Sequence, residues 1–287
     1  MPETLLHVGF PKTATTWLQY ILQNSENIIY IGKFNGNNER WCSAIFNDVR
    51  LSLRSDGPKV GLKKLEDEIH KISDANPGKP IVLSDEVLAK PWKDDKKWIE
   101  QFSRTLYEYF PEAKLLLTLR RQSDIASSLY RKHVSINGIS SMPMRKWFDN
   151  GGGSSDITFE ERWNLLNLYE GLLQFYPDSI SIIPYEMMKA DVNTFCKELS
   201  DFFKLKPSEL QFEKEYNVSG FKTNYYEVFR ALVDPRYWAE LNKSIKIKPK
   251  YDQSVLSEIN THFNDSNRQL SLISGLDLNG YGYFINE

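Results

Sequence analysis

Four short apolar runs punctuate the chain, each followed by a stretch in which apolar residues return every three or four positions. They cover residues 4 to 10, 81 to 86, 114 to 120 and 179 to 185. Consecutive apolar positions over so few residues predict strands buried on both faces. The three-and-four spacing predicts helices from Thr15 to Asn24, from Val60 to Ile72, through Trp98, Phe102, Leu106 and Phe110, from Ser123 to about Asn137, from Phe159 to Tyr176 and from Val192 to Phe203. A fifth apolar run, Ile28 to Ile31, is short, and residues 32 to 58 keep no period and read as a surface loop with an ill-defined helix. Residues 138 to 158, with Gly138, Pro143 and Gly151-Gly152-Gly153, read as a long loop. Its Met142, Met144, Trp147 and Phe148 either suit the ring of a bound molecule or pin the loop to the core.

Strands alternating with helices imply right-handed crossovers and a parallel sheet covered on both faces, an α/β architecture with a mostly helical C-terminal part. In such sheets ligands bind beyond the C-terminal strand ends. No repeat or linker divides the chain, so residues 1 to 287 are expected to form one domain.

Composition narrows the function. Hydrophobic residues at 41% and charged residues at 26% are ordinary globular values. A net charge of −2 gives no general attraction to nucleic acid, so any basic site is local. Cys42 and Cys196 are the only cysteines, which excludes a disulfide framework and a Cys-rich zinc site and fits a reducing compartment. No leader pattern opens the sequence and no run approaches 18 apolar residues, so a soluble protein with a cytoplasmic location is expected.

Two stretches carry chemistry. In Leu5-Leu-His-Val-Gly-Phe-Pro-Lys-Thr-Ala-Thr-Thr-Trp17, Gly9 and Pro11 break the first strand and a helix opens near Thr15. Unpaired N–H groups of the first helical turn, with Lys12 and the hydroxyls of Thr13, Thr15 and Thr16 beside them, suit a phosphate-like anion. The ordinary Walker pattern does not fit, because Lys12 precedes the turn and no Gly-Lys-Ser/Thr follows. In the second stretch Arg120 leaves a strand end and Ser128 lies eight residues on, inside the next helix, where guanidinium and hydroxyl can converge on a second phosphate.

These stretches resemble those of sulfotransferases that use 3′-phosphoadenosine 5′-phosphosulfate (PAPS). Pro11-Lys12-Thr13-Ala14-Thr15-Thr16-Trp17 is similar to that family's 5′-phosphosulfate loop, with Ala14 where Gly is usual, and Arg120, Ser128 and Tyr130 match the spacing of its 3′-phosphate motif. Pro184-Tyr185-Glu186 resembles the family's Tyr-Glu-Asp-Leu stretch without the Asp, and only Asn217 to Lys222 stands as a loose counterpart of its late cofactor loop. The resemblance implies a three-layer P-loop-like fold of the cytosolic or bacterial type. It also implies PAPS as donor and 3′-phosphoadenosine 5′-phosphate (PAP) as product, with no metal. Lys12 then meets the phosphosulfate bridge, Thr13, Ala14, Thr15 and Thr16 form the cradle, Arg120 and Ser128 read the 3′-phosphate, and Trp17 and Tyr185 approach the adenine.

The implied reaction is in-line transfer of a sulfuryl group to a hydroxyl or amine of a small-molecule or carbohydrate acceptor. Glu86 falls where the family places its base, with Asp85 and His133 as alternatives; His7 reads as a packed core residue, and His70 and His262 as surface groups. A catalytically silent binder of PAP or PAPS and a P-loop kinase are the competing readings. The acceptor and the oligomeric state are not specified by these residues.

Overall fold

The computed structural model describes residues 3–10, 12–13, 15–32, 48–49, 59–84, 96–137, 141–152, 158–206 and 249–285. Five parallel strands form the centre: β1 (Thr4–Gly9), β2 (Ile29–Gly32), β3 (Ile81–Ser84), β4 (Lys114–Leu119) and β5 (Ile180–Pro184), in the order β2-β3-β1-β4-β5. The order places β1 in the middle, flanked by β3 and β4. The short run at 28–31 is thus an edge strand, paired with β3 from Ile29↔Ile81 to Gly32↔Ser84.

Around the sheet lie α1 (Thr15–Asn24), α2 (Val60–Ala75), α3 (Lys96–Tyr109), α4 (Gln122–Asn137), α5 (Met144–Asp149), α6 (Phe159–Arg162), α7 (Leu165–Leu173), α8 (Tyr185–Ala190), α9 (Val192–Phe203) and α10 (Gln253–Ser274). Strand side chains alternate between the faces, and the alternation sorts the core into two layers. Leu6, Val8, Leu83, Leu115 and Leu117 pack with Leu65 of α2, Phe102 of α3, Ile125 of α4 and Phe263 of α10. Leu5, Val82 and Leu116 face the other way, onto Trp17, Leu18 and Leu22 of α1 and Phe195, Leu199 and Phe203 of α9. This is the three-layer arrangement that the alternating pattern predicts.

Two expectations need correction. The helix expected from Phe159 to Tyr176 is broken at Trp163 and Asn164, because the Asn164 side chain accepts from the Asn167 backbone N–H and caps a new start at Leu165. The loop expected over 138 to 158 contains α5, whose Met144, Trp147 and Phe148 are buried; of the two readings open for them, core anchoring is the one realised.

Candidate active site

Because all five strands are parallel, their C-terminal ends open on one side, and three of them deliver the residues singled out above. β1 ends at Gly9, the chain turns through Lys12 and Thr13, and α1 begins at Thr15, its first-turn N–H groups and dipole directed at the turn. Lys12 has φ 79, in the left-handed region. For a residue with a Cβ this conformation costs roughly 1–2 kcal/mol. A brace holds it there: Arg120 Nη1 donates to the Lys12 carbonyl at 2.6 Å.

Arg120 is half-buried just beyond β4. Its guanidinium lies over the Tyr185 ring, 4.7 Å from the centroid, and Lys189 approaches the same ring at 5.5 Å. Arg120 Nε is buried and has no partner among the described residues. A fixed guanidinium with a donor left over beside a helix N-terminus is the donor set an anionic ligand requires.

The next residue pair repeats the match with different chemistry. The β4–β5 register ends at Leu119↔Pro184, so Arg121 comes opposite Glu186 as Arg120 comes opposite Tyr185. The buried Glu186 accepts from the Arg121 backbone N–H at 3.1 Å and from the Tyr283 hydroxyl at 2.7 Å, with Arg121 Nε at 3.7 Å. Burial first, and then the Glu186 carboxylate, push the Tyr283 phenol well above its ordinary range. Arg121 also pairs with Asp124 at 2.7 Å. One residue further, Gln122 and Asn267 of α10 exchange amide hydrogen bonds at 2.9 and 3.0 Å, and Asn267 donates to the Tyr283 carbonyl at 2.8 Å. The corner that presents Arg120 is therefore fastened by α8 and by the chain after α10. Only the Arg-Arg and Tyr-Glu dipeptides at the strand ends hinted at this in the sequence; Asn267 and Tyr283 gave no signal.

The structure brings Lys12, Thr13, Thr15, Arg120 and Tyr185 to one end of the sheet, but not every side chain is turned as expected. The Thr13 hydroxyl points into the protein, donating to the Phe10 carbonyl at 2.7 Å and meeting Thr118 Oγ1 at 2.9 Å, so only its backbone N–H remains for an anion. Trp17 is buried against Phe195, ring centroids 6.0 Å apart, packed with the α1 and α9 core. Ser128 is half-buried on α4, one turn beyond Asp124 on the same face. Tyr130 is buried and donates to the Met142 carbonyl at 3.1 Å.

Pro11, Ala14, Asp85, Glu86 and residues 217 to 222 lie outside the described residues, as does the Thr16 side chain. His133 is stacked on Tyr130 and tilted against Trp147, with burial lowering its pKa. It lies ~16 Å along α4 from the end that faces the turn. His7 is fully buried and held below its ordinary value of 6.5, at about 3, by desolvation. Among the described residues no cluster of His, Cys, Asp or Glu suits a metal ion, and no helix is long and apolar enough to cross a membrane.

Comparison with known proteins gives these features a context. A family model described as a sulfotransferase domain matches residues 2–227. Among solved structures, a sulfotransferase from Alicyclobacillus acidocaldarius is similar in fold, at 14% identity over 98% of each chain with a TM-score of 0.59. The sulfotransferase domain from the curacin biosynthetic pathway gives 12% identity and a TM-score of 0.46, covering 94% of this chain and 98% of that one. Mouse sulfotransferase SULT7A1 complexed with PAP gives 15% and 0.39, with 94% and 82% covered. No curated protein matches the sequence.

Proposed function

The chain belongs to the sulfotransferase domain family, and from that premise we propose that it moves a sulfuryl group from PAPS to a hydroxyl or amine of a small-molecule or carbohydrate acceptor by in-line displacement, as a single-domain cytoplasmic enzyme. The observation that carries the reading is the brace between the two candidate phosphate subsites. Arg120, whose buried Nε has no partner among the described residues, grips the carbonyl of Lys12 just ahead of α1. Two anion-binding groups in mechanical contact suit a nucleotide that carries phosphate at both its 3′ and 5′ positions.

In this reading the Lys12 ammonium stabilises charge on the leaving phosphate, and Thr15, Thr16 and the backbone N–H groups of the Thr13–Thr16 turn hold the 5′-phosphate. Arg120, with Ser128, takes the 3′-phosphate, and Tyr185 supports the guanidinium and borders the adenine. Glu86, two residues beyond the end of β3, removes the acceptor proton.

The decisive experiment is calorimetric titration with PAP and AMP beside turnover of labelled PAPS on a panel of acceptors. PAP is expected to bind roughly ten- to a hundredfold more tightly than AMP, the worth of a charge-assisted contact of ~1.5–3 kcal/mol. Label is expected to appear in at least one acceptor. Equal affinities would remove the 3′-phosphate assignment, and PAP binding without transfer to any acceptor would favour a silent nucleotide binder.

A further inference from the structure

Beneath the turn, on the α1 and α9 face of the sheet, the last side chains of the three central strands are polar where those below them are apolar. His7 of β1, Ser84 of β3 and Thr118 of β4 make up this row, directly above Leu5, Val82 and Leu116. All three are buried. His7 Nδ1 lies 2.8 Å from Ser84 Oγ, its cross-strand neighbour. On the other side Thr118 stands opposite Gly9, one pleat further on, and His7 Nε2 reaches it diagonally at 3.1 Å. The reach needs a glycine: a Cβ at Gly9 would lie 2.3 Å from Thr118 Oγ1 and 2.8 Å from His7 Nε2.

Hydrogen-bond accounting gives the row a direction. The Thr13 hydroxyl has one proton, donated to the Phe10 carbonyl, so it accepts from Thr118 at 2.9 Å. The Thr118 proton is thereby committed, and Thr118 Oγ1 accepts from His7 Nε2–H. The neutral ring then has a bare Nδ1, which accepts from the Ser84 hydroxyl. Ser84 Oγ in turn accepts from Gln19 of α1 at 3.3 Å, and the same amide nitrogen faces the Ser84 carbonyl at 3.2 Å, an arrangement open only to a donor. The chain runs one way, from Gln19 through Ser84, His7, Thr118 and Thr13 to Phe10.

We propose that His7, held as the neutral Nε2–H tautomer, is the positioning residue of the phosphate-binding turn. Its Nε2 arm orients Thr13 through Thr118, and its Nδ1 arm fixes Ser84, the residue that leads directly to Asp85 and Glu86. His7 touches neither donor nor acceptor. It sets the turn and the end of β3 in one frame, so that the two halves of the proposed site hold a constant separation. The inference rests on reading the turn as a phosphate cradle.

Two measurements test it. Long-range proton–nitrogen correlation on histidine-labelled protein at neutral pH is expected to show one slow-exchanging ring protonated on Nε2 alone, assigned by its loss in His7→Gln. An Nδ1–H ring or an imidazolium overturns the proposal whether or not the protein binds PAP. The second measurement is PAP titration of His7→Gln and His7→Asn. A Gln amide reaches the place of Nε2 and keeps the arm to Thr118, whereas an Asn amide reaches only the place of Nδ1 and keeps the arm to Ser84. His7→Gln is expected to stay within about threefold of the wild-type affinity and His7→Asn to weaken it about tenfold. A merely structural histidine would lower the melting temperature of both variants with no difference between their affinities, and that result would overturn the proposal. A wild-type chain that binds PAP no better than AMP fails the functional reading instead, and the tautomer still decides the orientation of the chain.

Discussion

Replacing Arg120 by Ala removes two interactions of different kinds, and the ligand chosen for the assay separates them. The first is the proposed contact with a 3′-phosphate, worth ~1.5–3 kcal/mol, which only PAP can lose. The second is the 2.6 Å hydrogen bond to the Lys12 carbonyl, which any nucleotide using the turn loses. With the bond gone, Lys12 is free to leave its left-handed conformation, and restoring it on binding costs up to the roughly 1–2 kcal/mol of that conformation. AMP affinity should therefore fall by up to about five- to thirtyfold, and PAP affinity by a further ten- to hundredfold. Isothermal titration of both nucleotides to both proteins closes a double-mutant cycle in which the coupling between residue 120 and the 3′-phosphate is read directly. Repeating the titrations well above 0.15 M salt, where the screening length is under ~8 Å, strips out any diffuse effect of the lost charge. A coupling below ~0.5 kcal/mol refutes the 3′-phosphate role, and an unchanged AMP affinity refutes the brace.

Lys12→Ala is expected to lower kcat by ~10²–10³ while PAP affinity changes less than about tenfold, because its charge acts on the leaving group in the transition state; equal losses in single-turnover rate and PAP affinity would count against that role. Glu86→Gln should cost ~10²–10⁴ in transfer to a hydroxyl with nucleotide affinity kept; if it retains more than about a third of the rate while Asp85→Asn or His133→Asn fails, the base moves to the residue that failed. Acid stability gives a fourth prediction. The unfolded chain takes a proton on His7 below 6.5 whereas the native ring refuses it until about 3, so the unfolded state binds more protons between these values. The stability from neutral burial is thus complete above 6.5 and is lost as pH falls towards 3, at up to ~1.4 kcal/mol per pH unit and ~5 kcal/mol in all. Urea midpoints of His7→Gln across that window should show a shallower slope, and an unchanged slope would mean that another group carries the acid sensitivity.

The sheet was legible because β1, β3 and β4 are buried on both faces and leave nearly unbroken apolar runs, while α2 and α9 carry their apolar residues at helical spacing. β2 was harder to read. Four residues at an edge look like any apolar run until a partner strand is known, and that partner begins 52 residues later, at Ile81. The break at Asn164 was hidden by apolar residues that continue in helical phase across it. At the site, Lys12, Arg120 and Tyr185 are legible because each follows closely on the end of a strand. What the sequence concealed is the orientation of side chains after folding. Thr13 looked like an anion ligand, yet its hydroxyl turns inward because Thr118, 105 residues away, offers a proton. His7 was expected in the core, but nothing local distinguishes a packed imidazole from one that links Ser84 and Thr118 at separations of 77 and 111 residues.

The matched pairs beyond β4 and β5 bear on misassembly as well as on ligand binding. β5 is an edge strand of five residues, partly exposed along most of its length, and strands of this kind slip. A slip of one residue would carry Glu186 to Arg120 and leave the Arg121 backbone N–H without its carboxylate, while the Tyr283 hydroxyl lost its acceptor. Only the native register satisfies both arginines, the tyrosine ring and the buried acid together. This corner is thereby a registration mark for the edge of the sheet. Damage to Glu186 should surface as mispaired, aggregation-prone protein before it surfaces as a slow enzyme.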